Sequence, residues 1–63
     1  MRRHEYNNLI DELGAPLYRY AFHFMRNEED AKDIVQDVFE KLWINRKKID
    51  LERVKSWLYK CTH

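Results

Sequence analysis

Apolar side chains recur at three- and four-residue steps between Asn27 and Asn45, and this pattern constrains the fold more than any other feature. The period is that of an α-helix with one buried face. The apolar positions are Ala31, Ile34, Val35, Val38, Phe39, Leu42 and Trp43. Asn27 can accept a hydrogen bond from the first turn, and the three acidic residues that follow it suit the positive end of a helix dipole. The sequence therefore predicts a helix over 27–45, with Asn27 as its N-cap.

The opposite face of this predicted helix is acidic. At about 100° per residue, four polar side chains fall within one narrow strip, and none of the four is apolar. They are Asp33, Gln36, Asp37 and Glu40, and we call them the acidic strip. Catalysis by these carboxylates would require one of them to be desolvated, whereas the strip is expected to face outwards. It is interpreted as a solvated face or as a protein-docking face.

A second helix is predicted to precede the first, over about Arg3 to Arg26. Its apolar stripe comprises Tyr6, Leu9, Ile10, Leu13, Leu17, Tyr20, Ala21, Phe24 and Met25. Pro16 lacks the amide that would bond to Glu12, and Gly14 weakens the same turn, so a kink or break is expected near Gly14 to Pro16. The link to the next helix is short, which predicts that the two helices are antiparallel neighbours.

A third helix is predicted to follow a polar loop. Asp50 is its expected N-cap, and its apolar stripe comprises Leu51, Val54, Trp57, Leu58 and Cys61. The pattern is still running at His63, so the chain is expected to be a fragment of a longer protein. With 63 residues, 44% of them hydrophobic, 37% charged, one Gly and one Pro, the chain is expected to form a single all-α domain.

Composition and spacing also bear on the class of protein. The single cysteine forms no internal disulfide, and no apolar run has the length of a signal peptide core or a membrane span, so a soluble, cytoplasmic chain is expected. The candidate metal ligands are His4, His23, Cys61 and His63. No two of them have the spacing of a compact zinc site. Ser56 is the only serine, and there is no Gly-rich phosphate loop. We predict neither an enzyme, nor a cofactor, nor a metal.

The charges are distributed unevenly along the chain. Residues 27–45 carry two basic and six acidic groups, whereas residues 46–63 carry six basic and two acidic groups. This asymmetry indicates two partners of opposite charge, or a solvated surface with no partner. The basic groups, Arg46, Lys47, Lys48, Arg53, Lys55 and Lys60, surround Trp57 and Tyr59, a mixture that suits single-stranded or melted nucleic acid. Trp57 is expected in the core, and Tyr59 and the lysines at the surface.

Three segments of the chain resemble a known family. The run DAKDIVQDVFEKLW at residues 30–43 closely resembles the core-polymerase-binding helix, region 2.2, of sigma-70 family factors of the extracytoplasmic-function type. LYRYA at residues 17–21 resembles the preceding region 2.1 helix, in which a proline at the place of Pro16 is common. WLYK at residues 57–60 resembles the start of the region 2.4 helix. The likeness covers nearly the whole chain.

The resemblance implies a fold and two binding surfaces. It implies a three-helix sigma region 2 domain without catalytic activity, with the third helix truncated and region 4 absent. The implied polymerase-binding surface comprises Asp33, Gln36, Asp37, Glu40 and Trp43, which would dock on the clamp helices of the largest subunit. An anti-sigma factor is implied as a competitor for the same face.

The second surface implied by the resemblance binds the non-template strand of the minus-ten promoter element. It falls on the loop and third helix, at Arg46, Lys47, Lys48, Lys55, Tyr59 and Lys60. The alternative from another class is a small helical protein-interaction domain that binds no nucleic acid. A helix-turn-helix duplex reader would need a shorter turn than residues 46–51 provide.

Overall fold

The protein forms three α-helices around one small core, in a computed structural model that describes residues 1–62. The helices are α1, Arg3–Met25; α2, Glu28–Ile44; and α3, Val54–Thr62. No strand occurs within residues 1–62. The predicted all-α fold is therefore confirmed, and none of the three helices combines the length and apolar composition needed to cross a membrane, as judged over the described residues.

The core forms where the three helices meet. Each helix contributes one leucine with no exposed surface, namely Leu17, Leu42 and Leu58. Leu13, Val38, Phe39 and Val54 complete the buried cluster. The two-residue link between α1 and α2 makes these helices antiparallel, so that Tyr6 near the start of α1 contacts Phe39 and Trp43 near the end of α2. The predicted antiparallel arrangement is confirmed.

The predicted bounds of α2 agree with its two caps. The Asn27 side chain accepts a hydrogen bond of 3.1 Å from the Asp30 amide, which makes Asn27 the N-cap. At the other end, the Asn45 side-chain amide donates to the Lys41 carbonyl at 2.9 Å. The same carbonyl accepts the Asn45 main-chain amide at 3.0 Å, so Asn45 is bound to the last turn of α2 through both its main chain and its side chain. Asn27 and Asn45 thus flank the helix as caps.

α1 continues through Gly14 and Pro16 as one helix, so the expected break does not occur. Leu13 and Leu17 are buried on the two sides of this turn, and their packing holds the helix together where one hydrogen bond is missing. The kink near Pro16 stays a prediction.

The apolar stripe of α1 is only partly buried. Leu13, Leu17 and Ala21 are in the core, but Ile10, Phe24 and Met25 are exposed, contrary to the predicted core face. Phe24 and Met25 lie at the C-terminal end of α1, where the chain turns at once into the polar first turn of α2, so the core does not extend to them.

α3 begins later than predicted. Residues 51–53 form a turn in which the Arg53 amide donates to the Asp50 carbonyl at 3.0 Å, so Asp50 is not the N-cap of α3. Leu51 and Cys61 are exposed, and the buried positions are Val54, Leu58 and Thr62. Thr62 can be buried because its hydroxyl donates to the Leu58 carbonyl at 2.7 Å, which leaves no polar group unsatisfied.

Candidate functional site

All four residues of the acidic strip are exposed, as the sequence predicted. One of them has a partner within the chain, because Asp37 forms an ion pair of 3.1 Å with Lys41 one turn along the helix. Both side chains in that pair are more than half exposed, at 59% and 57%. Surface pairs of this kind are weak and easily exchanged for another partner. The strip is therefore free to meet another molecule.

The face of α2 that carries the acidic strip ends in an exposed apolar residue, which the sequence analysis did not include. Ile44 is 69% exposed, the highest value among the large apolar side chains of residues 1–62. It lies one turn beyond Glu40 and two turns beyond Asp37, so it continues the same face to the end of α2. The helical period alone would have identified it, had the strip been followed to the last residue of the helix.

A groove lies between α1 and α2, beside the acidic strip. It has a volume of about 1020 Å³, and Gln36 and Glu40 of the strip stand on its rim. The α1 wall comprises Arg3, Tyr6, Asn7, Ile10, Gly14, Ala15 and Tyr18. At Gly14 the wall is open, since an added Cβ would meet no atom within 4 Å. This groove was not predictable from the sequence, because Ile10 and Tyr6 fit the pattern of a single core face.

Trp43 forms the end of this groove and is half-buried. Its ring lies 4.9 Å from the ring of Tyr6 and has the Arg46 guanidinium carbon 3.9 Å from its centre. The Tyr6 hydroxyl donates to the Phe39 carbonyl at 2.8 Å. Burial of Tyr6, together with the nearby negative charge of Glu40, raises the pKa of its hydroxyl. The Tyr6 ring and the Arg46 guanidinium thus both contact the Trp43 ring, which lines the groove.

The residues predicted to bind nucleic acid fall into two groups, one exposed and one packed against the rest of the chain. Lys47, Lys48, Lys55 and Lys60 are exposed, and within residues 1–62 they form no ion pair. Arg46 and Tyr59 are engaged with the rest of the chain. The Tyr59 ring packs edge-on against Tyr20 at 5.1 Å and is half-buried, so the expectation of an exposed Tyr59 is wrong. Trp57 packs against the core, as predicted, but only partly buried.

The lysines of α3 do not share one face. Lys55 and Tyr59 are four residues apart and lie on one side of the helix. Lys60 lies about 140° around the axis from Lys55, at 100° per residue. Lys47 and Lys48 belong to the turn after α2, in which the Lys48 amide donates to the Asn45 carbonyl at 2.9 Å. A single strand of nucleic acid could lie along the turn and one side of α3. Lys60 would then contact only the edge of that strand.

No group of three or more potential metal ligands comes together within residues 1–62. His4 and His23 are both on α1, five turns apart, and Cys61 is on α3. His63, the fourth residue considered in the sequence, lies outside the described residues.

Comparison with known proteins identifies the family. The Sigma-70 region 2 model matches residues 9–63. The RNA polymerase sigma factor SigV of Bacillus subtilis is 41% identical over 52 residues, which cover 81% of this chain and 31% of that relative. The chain thus spans about a third of the length of the curated relative that it matches. No solved structure gives a significant match. The chain belongs to the sigma-70 family, and the match is to region 2 of that family.

Proposed function

We propose that this domain is a non-catalytic module of transcription initiation, which binds core RNA polymerase and engages the minus-ten strand of the promoter. The observation that carries the proposal is the exposure of the acidic strip on the segment that matches the sigma family. The apolar face of α2 is buried in the core. The acidic strip is therefore the face of this helix that remains accessible to a partner.

The polymerase-binding surface comprises Asp33, Gln36, Asp37, Glu40 and Trp43. Its carboxylate and amide groups would pair with arginine and amide groups on the clamp helices of the largest polymerase subunit. Hydrogen bonds between arginine and carboxylate are charge-assisted, and loss of one partner of a desolvated pair costs about 2–5 kcal/mol of binding free energy. Ile44 and Trp43 add apolar area at the same end of α2.

Charge reversal of Asp37 tests this surface. Asp37→Arg should abolish binding to core polymerase in a pull-down and leave the helical circular dichroism spectrum unchanged, because the side chain is exposed. Asp11→Arg is the matched control, since Asp11 is an exposed aspartate of α1 outside the proposed surface. Core binding by Asp37→Arg at the level of the control would refute the assignment.

The strand-binding surface comprises Lys47, Lys48, Lys55 and Lys60, with Arg46 and Tyr59 as the remaining predicted members. Exposed ammonium groups that form no ion pair within residues 1–62 support a role in binding phosphates. Such contacts supply affinity that depends on salt and carries no sequence information. The turn that holds Lys47 and Lys48 is also the segment from which a pocket for an unstacked base would be built.

The double change Lys47→Glu and Lys48→Glu tests the strand-binding surface. We expect weaker binding of single-stranded minus-ten oligonucleotides to the complex of this chain with core polymerase, and the same loss for every sequence. Two phosphate contacts on a single strand correspond to a drop of about 1.4 in the slope of log affinity against log salt. A changed base preference with an unchanged slope would contradict the assignment.

A second candidate function is protein interaction without nucleic acid. The groove beside the acidic strip favours it, because a partner helix could occupy the groove and cover Gln36 and Glu40 at once. An anti-sigma factor would be such a partner and would compete with polymerase. Salt-dependent binding of the minus-ten strand in the presence of core polymerase separates the two functions, since an interaction domain alone would show none.

A further inference from the structure

Arg46 is bound to the chain at two points. Its guanidinium carbon lies 3.9 Å from the centre of the Trp43 ring, and its Nη1 donates a hydrogen bond of 2.7 Å to the Trp43 carbonyl. The residue is half-buried, unlike the neighbouring Lys47 and Lys48, which are exposed. The guanidinium is thus committed to the end of α2.

We infer that Arg46 is a positioning residue for the polymerase-binding surface, and that it makes no phosphate contact. It fixes the Trp43 ring as the end wall of the groove, with the Tyr6 ring as the second support at 4.9 Å. This inference rests on the proposed function, because Trp43 is a polymerase contact only in that proposal. The inference goes beyond the proposed function by assigning Arg46 to the polymerase-binding surface instead of the strand-binding surface.

The geometry favours arginine over lysine. A guanidinium is planar, so it can lie over an indole ring while an N–H in its plane bonds to a carbonyl. A lysine ammonium keeps the charge but has no plane to stack. The substitution Arg46→Lys therefore separates positioning from charge: it preserves any simple attraction to phosphate and removes the support of Trp43.

The test compares Arg46→Lys, Arg46→Ala and the control Arg19→Ala, which removes an exposed arginine of α1 that lies in neither proposed surface. Affinity for core polymerase is measured by fluorescence titration at a temperature at which every variant is folded by circular dichroism. Both changes at Arg46 should weaken core binding about two- to five-fold, the range expected for loss of one cation–π contact. Arg19→Ala should bind as the unaltered chain does.

A second measurement reports on Trp43 itself. In a Trp57→Phe background, Trp43 is the sole tryptophan, and both Arg46 variants should show a red-shifted emission that acrylamide quenches more readily. A third arm measures single-stranded minus-ten binding in complex with core polymerase. The salt slope should be the same for Arg46→Ala as for Arg19→Ala.

Three results would overturn the inference. The first is core affinity unchanged in both Arg46 variants. The second is wild-type affinity in Arg46→Lys alone, which would assign the effect to charge. The third is a salt slope lowered by about 0.7 in Arg46→Ala, which marks one lost phosphate contact on a single strand. Failure of the proposed function is distinguishable, because Asp37→Arg would then also retain core binding.

Discussion

The Tyr6 hydroxyl donates a hydrogen bond of 2.8 Å to the main-chain carbonyl of Phe39, 33 residues away along the chain. Tyr6 thereby ties the start of α1 to the last turns of α2. The same ring packs against Trp43 at 4.9 Å and lines the groove beside the acidic strip. One residue thus links the stability of the helix pair to the shape of the proposed polymerase-binding surface.

Removal of the Tyr6 hydroxyl should lower the stability of the domain. Tyr6→Phe keeps the ring contacts and deletes one partly buried hydrogen bond, so the free energy of unfolding should fall by about 1 kcal/mol. Urea denaturation at neutral pH measures the loss. Tyr18→Phe is the control, since the Tyr18 hydroxyl forms no hydrogen bond within residues 1–62. Equal stability of Tyr6→Phe and the unaltered chain would contradict the prediction.

The contribution of Tyr6 should disappear at high pH. Burial, and then the charge of Glu40, raises the pKa of Tyr6 above 10.0, so at alkaline pH the folded chain binds more protons than the unfolded chain. Tyr6 therefore makes its full contribution to the free energy of unfolding below pH 10. This contribution is lost as the pH rises through the raised pKa. The gap in urea midpoint between the unaltered chain and Tyr6→Phe should narrow above pH 10. A gap that is constant up to pH 12 would argue against this titration.

Two leucines seven residues apart should differ greatly in their effect on folding. Leu58 has no exposed surface, whereas Leu51 is 48% exposed. Leu58→Ala should cost about 2–5 kcal/mol and leave so small a domain largely unfolded. Leu51→Ala should change stability by less than about 0.5 kcal/mol. Thermal melts followed by circular dichroism compare the two, and similar melting temperatures would contradict the late start of α3.

Gly14 should be replaceable by alanine with a gain in stability. It lies in the middle of α1, its added Cβ would meet nothing within 4 Å, and alanine is favoured over glycine there by about 1 kcal/mol. Ala15→Gly, on the next position of the same groove wall, should lose a similar amount and is the matched control. Denaturant unfolding measures both. A loss of stability in Gly14→Ala would mean that the glycine is needed by the fold.

The local features of the protein follow from short-range patterns of residues. The N-cap of α2 at Asn27, its buried face and its acidic strip were all predictable, because helical period and capping depend on residues within a turn or two of each other. The same reasoning predicted the all-α fold and the antiparallel pairing of α1 with α2. The motif at residues 30–43 was enough to indicate the family.

The packing of the three helices sets which apolar residues are buried and which charged side chains are exposed. Phe24 and Leu51 fit a helical stripe and yet are exposed, because burial depends on whether another helix reaches them. Arg46 belongs to a basic segment and yet is bound to Trp43, and Tyr59 is packed on Tyr20. A period records the direction in which a side chain points along its own helix, but the neighbour that meets it there is set by the packing of the whole chain.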